Sequence, residues 1–314
     1  MVESATMRDE SIFAIPVRFG WSVARVGYHW TRDTRGKRVI CAVDAGSRGW
    51  SHLLNRSEYR PFEQRTGLFR EFADLGTAEA PVLAFANRFG LLEEENNLEL
   101  PSRSGPVQAH GETLEFWKSE IQALKFAVEL WDAFCTGSRD EIAALDAKWA
   151  KQRVPLALRQ KLHLGDEDAP IAAVDAIQDI ADQKLQRHVA TRLLAAGDLP
   201  KLRVFLQPRS LLGALWIQFA AAVDSRKTFK NCAQCGAPFE LSRTPETGKR
   251  SDARFCSDRC RVAHYRQRME SARQLKSQGL SPVQIARELN AEIPTVRGWL
   301  KTGGADRVRT GRRG

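Results

Sequence analysis

Long apolar runs are missing from this 314-residue chain. Its most apolar stretch, LLGALWIQFAAAV at 211–223, contains Gln218 and is shorter than the roughly 20 residues that a membrane-spanning helix needs. The first twenty residues carry acidic side chains and no continuous apolar run, which is not typical of a signal peptide. We therefore expect a cytoplasmic protein with no membrane partner, in which 211–223 forms a buried helix.

Common enzyme signatures are also missing. The chain has no Gly-x-Gly-x-x-Gly, no Gly-x-x-x-x-Gly-Lys phosphate loop, no His-Glu-x-x-His and no Gly-x-Ser-x-Gly. No cluster of Asp or Glu has the spacing of a metal site that acts on DNA. We therefore expect that the protein is not an enzyme.

Cysteine is scarce, yet four of the six cysteines lie in NCAQCGAPFELSRTPETGKRSDARFCSDRCR at 231–261. In a reducing compartment, closely spaced pairs are more often metal ligands than disulfides. A Cys-x-x-Cys pair and a Cys-x-x-x-Cys pair together supply the soft ligands of a tetrahedral Zn²⁺ site. The sequence therefore predicts one structural zinc ion per chain, held by Cys232, Cys235, Cys256 and Cys260.

The residues around these cysteines predict a treble-clef finger. Gly236 permits the tight turn of a zinc knuckle after the first pair. After the second pair, apolar residues recur at helical spacing as far as Leu275. Cys256 and Cys260 are therefore expected to open a helix and to project from the same side of it. A hairpin-like segment would connect the knuckle to this helix.

Two other uses of the four thiols are a redox dithiol and a catalytic zinc site. A catalytic zinc keeps one position open for water, and four thiolates leave none. His264 lies one helical turn beyond Cys260 and is a weaker candidate, either as a replacement ligand or as a hydrogen-bond partner of a thiolate. The isolated Cys41 and Cys135 are expected to be packed core residues.

The stretches LLGALWIQFAAAV, NCAQCGAPFE and RFCSDRCR resemble the C-terminal region of bacterial regulators with a CGNR-type zinc finger. Those regulators carry a helical N-terminal domain of the ABATE kind. The resemblance covers residues 200–268 and implies a zinc-binding, DNA-binding protein. Arg261, Val262 and Ala263 follow Cys260 where that family has Gly-Asn-Arg, so a related treble clef ending CRVAHYRQR is expected.

A second motif follows the finger in MESARQLKSQGLSPVQIARELNAEIPTVRGWLKTGG at 269–304. Ser281 and Gln284 predict a capping box at the start of a helix that ends near Asn290, and a third helix is expected over 294–301. These helices would share a small core of Ile285, Ala286, Leu289, Val296, Trp299 and Leu300. The pattern resembles the helix-turn-helix of resolvase-type and transposase-type DNA-binding domains. The finger helix is expected to continue without interruption to Gln278, which would join both motifs.

Positive charge is concentrated in the same part of the chain. The net charge is +10, but residues 226–314 hold 20 Lys and Arg against 8 Asp and Glu, whereas residues 1–225 are net −2. Such asymmetry indicates that one part contacts a polyanion. The residues expected to contact DNA are Thr295, Arg297, Gly298 and Lys301 in the third helix and Arg261, Arg266 and Arg268 in the finger helix. A helical hairpin that only packs on a partner protein is the alternative.

The expected fold class is α+β and mainly α. The expected divisions are a mixed α/β region at 1–110, a helical domain at 111–225, the finger at 226–268, the helix-turn-helix at 269–303 and a basic tail at 304–314. Within them, 96–111 is expected to be a loop or linker, and helices are expected at about 139–151, 171–196 and 209–224. A short strand is expected at KLRVFL, 201–206, between the last two helices.

The leading hypothesis is a zinc-containing, sequence-specific DNA-binding protein that regulates transcription in bacteria. Its partner would be double-stranded DNA, and residues 1–225 would sense a ligand or form a homodimer. One alternative is an RNA-associated or ribosome-associated zinc protein, since basic fingers also bind RNA. A second is an enzyme that acts on DNA and uses its C-terminal part for targeting.

Overall fold

The chain folds into two compact units, Met1–Thr228 and Phe229–Gly314, in the computed structural model. The structure describes residues 17, 19–43, 56–93, 97–102, 105–137, 139–151, 169–196, 201–241 and 252–301. The fold class is α+β and mainly α, as the sequence predicts. The basic tail expected at 304–314 lies outside the described residues, as does 242–251, which is part of the stretch between the two cysteine pairs where a hairpin-like segment is expected.

Short antiparallel strands make up much of the beginning of the first unit. They are β1 (Trp21–Ala24), β2 (Tyr28–Arg32), β3 (Arg38–Ala42), β4 (Arg56–Tyr59), β5 (Asn97–Leu100) and β6 (Val107–Thr113). β1 pairs with β4, whereas the other strands form a sheet in the order β2-β3-β6-β5. The expected linker at 96–111 is therefore wrong, because β5 and β6 pair there as a hairpin and β6 joins the sheet.

Helices pack around these strands. They are α1 (Pro61–Gln64), α2 (Leu68–Ala73), α3 (Glu79–Phe89), α4 (Leu114–Thr136), α5 (Arg139–Lys151), α6 (Ala169–His188) and α7 (Leu211–Asp224). The Thr113 hydroxyl accepts a hydrogen bond from the backbone N–H of Phe116 at the start of α4, and Gly137 (φ 69°) ends that helix. Since α4 directly follows β6, the expected boundary at 110/111 falls inside one continuous piece of structure.

The core of the first unit is rich in aromatic side chains. Phe72 contacts both Phe85 and Trp117, with ring centres 5.3 and 6.1 Å apart. α7 is buried along most of its length, as expected, and its Gln218 is paired inside the core. The Gln218 side chain accepts a hydrogen bond from Phe69 N and donates one to Arg65 O, so it fastens α7 to the turn between α1 and α2.

The two isolated cysteines differ in burial. Cys41 lies in β3 and is fully buried, which confirms the prediction. Cys135 is exposed in the last turn of α4, so the prediction of a core position is wrong for this residue. The end of an amphipathic helix turns part of its surface to solvent, and sequence spacing alone does not show which part.

A two-stranded ribbon separates α6 from α7. β7 (Val189–Ala196) pairs with β8 (Lys201–Pro208) in an antiparallel register that places Leu193 opposite Val204. The strand expected at KLRVFL is confirmed, but the helix expected to reach residue 196 ends at His188. The physical reason is long-range pairing: each residue of β7 has a partner in β8, and these cross-strand contacts override local helix preference.

β9 (Thr228–Asn231) starts at the last residue of the first unit and continues into the second. The second unit also contains β10 (Pro238–Leu241), α8 (Asp258–Ser277), α9 (Pro282–Glu288) and α10 (Ile293–Lys301). β9 and β10 pair as a hairpin, and α8, α9 and α10 pack together. Across the part of the chain that the structure describes, no helix combines the length and the apolar character needed to cross a membrane.

Candidate metal centre and nucleic-acid interface

The four cysteines of the two pairs lie together in the second unit. The sulfur atoms of Cys232, Cys235, Cys256 and Cys260 all lie within 4.8 Å of one another. The Cys235 and Cys256 sulfurs are 3.6 Å apart, and those of Cys256 and Cys260 are 3.4 Å apart. A tetrahedral ion with Zn–S bonds of about 2.3 Å separates its sulfur ligands by about 3.8 Å, so the cluster is close to the size of such a site.

The first pair is positioned by the β9–β10 hairpin. Gly236 adopts φ 72°, and its N–H donates to Cys232 O, which closes the turn that carries both thiols. Cys232 N in turn donates to Ala237 O at 2.9 Å. These contacts confirm the tight turn that the sequence predicts at Gly236.

Backbone amides around Cys232 favour its thiolate. Burial alone would raise the pKa of Cys232, but hydrogen bonds from the backbone N–H groups of Cys256, Cys235 and Gln234 outweigh it and lower the pKa to about 6. Burial and the neighbouring thiols of Cys260 and Cys235 raise the pKa of Cys256 to about 12. A metal ion that binds here must therefore displace a proton from Cys256, which makes binding dependent on pH.

The second pair differs from the expectation in one respect. α8 begins at Asp258, and Ser257 is its N-cap, whose hydroxyl accepts a hydrogen bond from Cys260 N. Cys256 therefore precedes the helix, and only Cys260 lies in its first turn. The prediction that both cysteines open the helix is wrong because Ser257 is the stronger cap residue.

His264 does not belong to the cluster of ligand atoms found among the described residues. Its ring packs against Phe255 with ring centres 5.0 Å apart. Burial, with smaller contributions from Arg268 and Arg254, lowers the pKa of His264. In this structure the His264 ring therefore packs against Phe255, the residue that precedes the ligand candidate Cys256.

Beyond the metal centre, α8 continues without interruption to Ser277 and is capped at Gln278, as predicted. The capping box of Ser281 and Gln284 is present at the start of α9, and Asn290 (φ 44°) takes the left-handed conformation in the turn that follows. The three helices share a core of Ala272, Ile285, Ala286, Val296 and Trp299, with Leu289 and Leu300 packed against it. Each residue of the predicted core is therefore in this core, and α8 supplies Ala272.

α10 turns two faces to different surroundings. Val296 and Trp299 are buried, so the opposite face of α10 lies in solvent. That exposed face carries the four residues predicted to contact DNA, which are Thr295, Arg297, Gly298 and Lys301.

The three arginines predicted on the finger helix have different environments. Arg266 is exposed, and Arg261 is exposed beside Asp258 at 3.2 Å. Arg268 lies seven residues beyond Arg261, and therefore on nearly the same face of α8, where it donates hydrogen bonds to Leu289 O and Asn290 O. Sequence reasoning missed this internal role, although the position of Arg268 one turn before the core residue Ala272 could have indicated it.

Comparison with protein-family models, with curated proteins and with solved structures found no match to this chain. The resemblance to regulators with a CGNR-type finger therefore depends on the quoted motifs alone.

Proposed function

We propose that this protein is a zinc-containing, sequence-specific DNA-binding regulator of transcription and that it is not an enzyme. Four cysteine thiols within 4.8 Å of one another support the metal assignment. Thiolates are soft ligands that favour Zn²⁺ over Mg²⁺ or Ca²⁺. Four protein ligands would complete the coordination of zinc and leave no position for a reacting water, which supports a structural role.

The observation that carries the DNA proposal is the continuity of α8. This helix contains the ligand Cys260 near its start and the core residue Ala272 near its end. The metal centre and the packing of α10 therefore depend on one rigid element, and the exposed face of α10 has a fixed direction relative to the finger. A small trihelical unit that presents Arg297, Gly298 and Lys301 on one helix suits the major groove.

Charge supports the same proposal. The 20 Lys and Arg among residues 226–314 exceed the 8 Asp and Glu, so this part of the chain attracts a polyanion. Arg266 and Arg261 on α8 would contact phosphates, whereas Arg297 and Lys301 on α10 would reach base edges or phosphates. Arg268 instead would position α10, since its hydrogen bonds are made within the unit. The first unit would sense a ligand or form a homodimer.

The test is binding of the full chain to DNA fragments selected from a random pool, with the selected site and a scrambled duplex compared across a salt series. Arg297→Ala should cost about 1–3 kcal/mol on the selected site and relax its sequence preference. Arg266→Ala should weaken binding to every duplex and reduce the slope of log K against log salt by about one. Lys37→Ala, an exposed charge in the first unit, is the matched control.

Three kinds of outcome would contradict the proposal. Binding that does not depend on salt, or no binding at low salt, would favour a protein partner for the exposed face of α10. Tighter binding to structured RNA than to any selected duplex would favour the RNA-associated alternative. Magnesium-dependent cleavage of the bound duplex would show an enzyme.

A further inference from the structure

A cleft of about 410 Å³ opens at the base of the β7–β8 ribbon in the first unit. Its volume lies in the range of small-molecule sites, which is roughly 300–1,000 Å³. Its lining residues include the aromatic Phe19 and Trp21 and the polar Arg192, Gln207 and Arg209. The metal centre and the predicted DNA-contacting residues belong to the other unit, so this cleft is a separate feature.

The register of the ribbon brings the polar groups together. Ala190 lies opposite Gln207, and Arg192 follows Ala190 by two residues, so all three share one face of the ribbon. Past the last strand pair, Arg209 N donates a hydrogen bond to His188 O at 2.8 Å and extends the pairing by one step. The backbone positions of Arg192, Gln207 and Arg209 are therefore set by strand pairing.

The aromatic side of the cleft is also fixed before any ligand binds. Trp21 is buried and donates a hydrogen bond from Nε1 to Leu91 O at 3.0 Å. Phe19 stacks on Trp21 with ring centres 5.5 Å apart, and Phe62 meets Phe19 edge-on at 6.4 Å. The half-buried ring of Phe19 therefore offers a rigid apolar surface, and a rigid surface lowers the entropy cost of binding.

The described residues that line the cleft carry positive charge. Among these residues there is no Asp or Glu, and neither Arg192 nor Arg209 forms an ion pair with another residue in the described part of the chain. Other arginines of the same unit are paired: Arg38 with Glu79, Arg70 with Asp132 and Arg88 with Glu71, at 2.8, 2.7 and 2.6 Å.

We propose that this cleft binds a small organic anion. Its carboxylate or phosphate group lies between the guanidinium groups of Arg192 and Arg209, with the Gln207 amide as a further donor. Guanidinium groups match both oxyanions in geometry as well as in charge. The apolar or aromatic part of the ligand lies against Phe19.

The experiment is a ligand-observed ¹⁹F NMR titration of the full chain without DNA. The probes are 4-fluorobenzoate, 4-fluorophenyl phosphate and 4-fluorobenzylamine, which share a ring and differ in charge. We expect saturable binding of at least one of the two anions and none of the amine. The preferred anion distinguishes a carboxylate ligand from a phosphate ligand.

Variants separate the cleft from the basic second unit. Replacing both Arg192 and Arg209 by Ala should weaken binding of the preferred anion about tenfold or more, because two charged hydrogen-bond donors are lost. The corresponding double Lys variant, which keeps the charge, should retain part of the affinity. Arg35→Ala, an exposed arginine of the same unit outside the cleft, should leave the affinity unchanged.

Three results would overturn the proposal. They are no saturable binding of either anion, an affinity of the double Ala variant equal to that of the wild type, and binding of the amine as strong as binding of the preferred anion. Loss of DNA binding in the DNA experiments would not bear on it, since the titration contains no DNA. If the thermal unfolding curve of the double Ala variant matches that of the wild type, weaker binding of the anion is not caused by unfolding of the variant.

Discussion

The guanidinium group of Arg268 lies over the ring of Trp299, 5.3 Å from the ring centre. The same side chain donates hydrogen bonds to the carbonyl oxygens of Leu289 and Asn290, at the end of α9. One residue of α8 therefore caps α9 and contacts the buried side of α10. Tyr265 adds an edge-on contact to Trp299, with ring centres 5.9 Å apart.

This arrangement predicts that Arg268→Ala destabilises the trihelical part by about 1–3 kcal/mol, because the carbonyl oxygens lose a charged donor and Trp299 loses a cation. Hydrogen exchange of peptides from α9 and α10 in the full chain measures the effect. Arg266→Ala, on the exposed side of the same helix, is the matched control and should leave exchange unchanged. Similar exchange in both variants would exclude the positioning role of Arg268.

Gly298 allows DNA contact and folding to be tested separately. Apart from its chain neighbours and the backbone of its own helix, a Cβ atom at this position would meet no described atom within 4 Å, so the fold accepts Gly298→Ala. Alanine should stabilise α10 by up to about 1 kcal/mol through helix propensity. If the Gly298 backbone approaches DNA, the added methyl group should weaken binding to the selected duplex. A variant that is more stable and binds DNA equally well would remove Gly298 from the proposed interface.

Removal of a thiol should release the metal. The wild-type protein, purified without chelator, should contain one zinc ion per chain by elemental analysis, and Cys260→Ser should contain much less. Hydrogen exchange should increase in the β9–β10 hairpin and at the start of α8, while the first unit stays folded. The exposed Cys135→Ser is the control and should retain its zinc. Wild-type protein without stoichiometric zinc would refute the metal assignment.

The raised pKa of Glu112 predicts how the stability of the first unit depends on pH. It is buried and accepts hydrogen bonds from Leu92 N and Glu93 N at 3.0 and 2.5 Å. Burial outweighs these bonds and raises the pKa of Glu112 from 4.5 to about 8. The folded state therefore binds more protons than the unfolded state, and the stability contributed by the protonated form is lost as pH rises towards 8.

His188 has the opposite effect at lower pH, since burial lowers its pKa from 6.5 to about 4 and stability rises with pH through that range. Between pH 6.5 and 8 the effect of His188 is therefore complete, while that of Glu112 is still in progress. In this window the free energy of unfolding of the first unit should fall in the wild type and fall less in Glu112→Gln. Urea unfolding at several pH values measures it, with the exposed Glu99→Gln as control. Equal slopes in all three proteins would contradict the assignment.

Local signals predicted the second unit well. The spacing of Cys232, Cys235, Cys256 and Cys260 and the capping box at Ser281 each act within a short stretch of chain, and the structure contains both. The start of α8 was misplaced because Ser257 and Cys256 are adjacent, and cap geometry decides between them. Exposure of Arg297 followed correctly from burial of Val296 and Trp299.

Long-range contacts account for most of what the sequence did not show. β7 has no local pattern that excludes a helix, and its pairing with β8 decides its conformation. The cleft combines Phe19 with Arg192 and Arg209, which are distant in sequence and meet only in the folded unit. The paired role of Gln218, likewise, depends on carbonyl and amide groups of another segment.

Because α8 is 20 residues long and uninterrupted, it also fixes the rotation of the metal centre around the helix axis relative to α10. Insertion of a single residue between Cys260 and Arg268 would rotate the metal centre by about 100° around the helix axis relative to α10. Insertion of seven residues, close to two turns, would nearly restore the rotation and move the centre by about 10.5 Å along the axis. A target that contacts both parts must therefore match one rotation and one spacing, whereas a flexible linker would accept many.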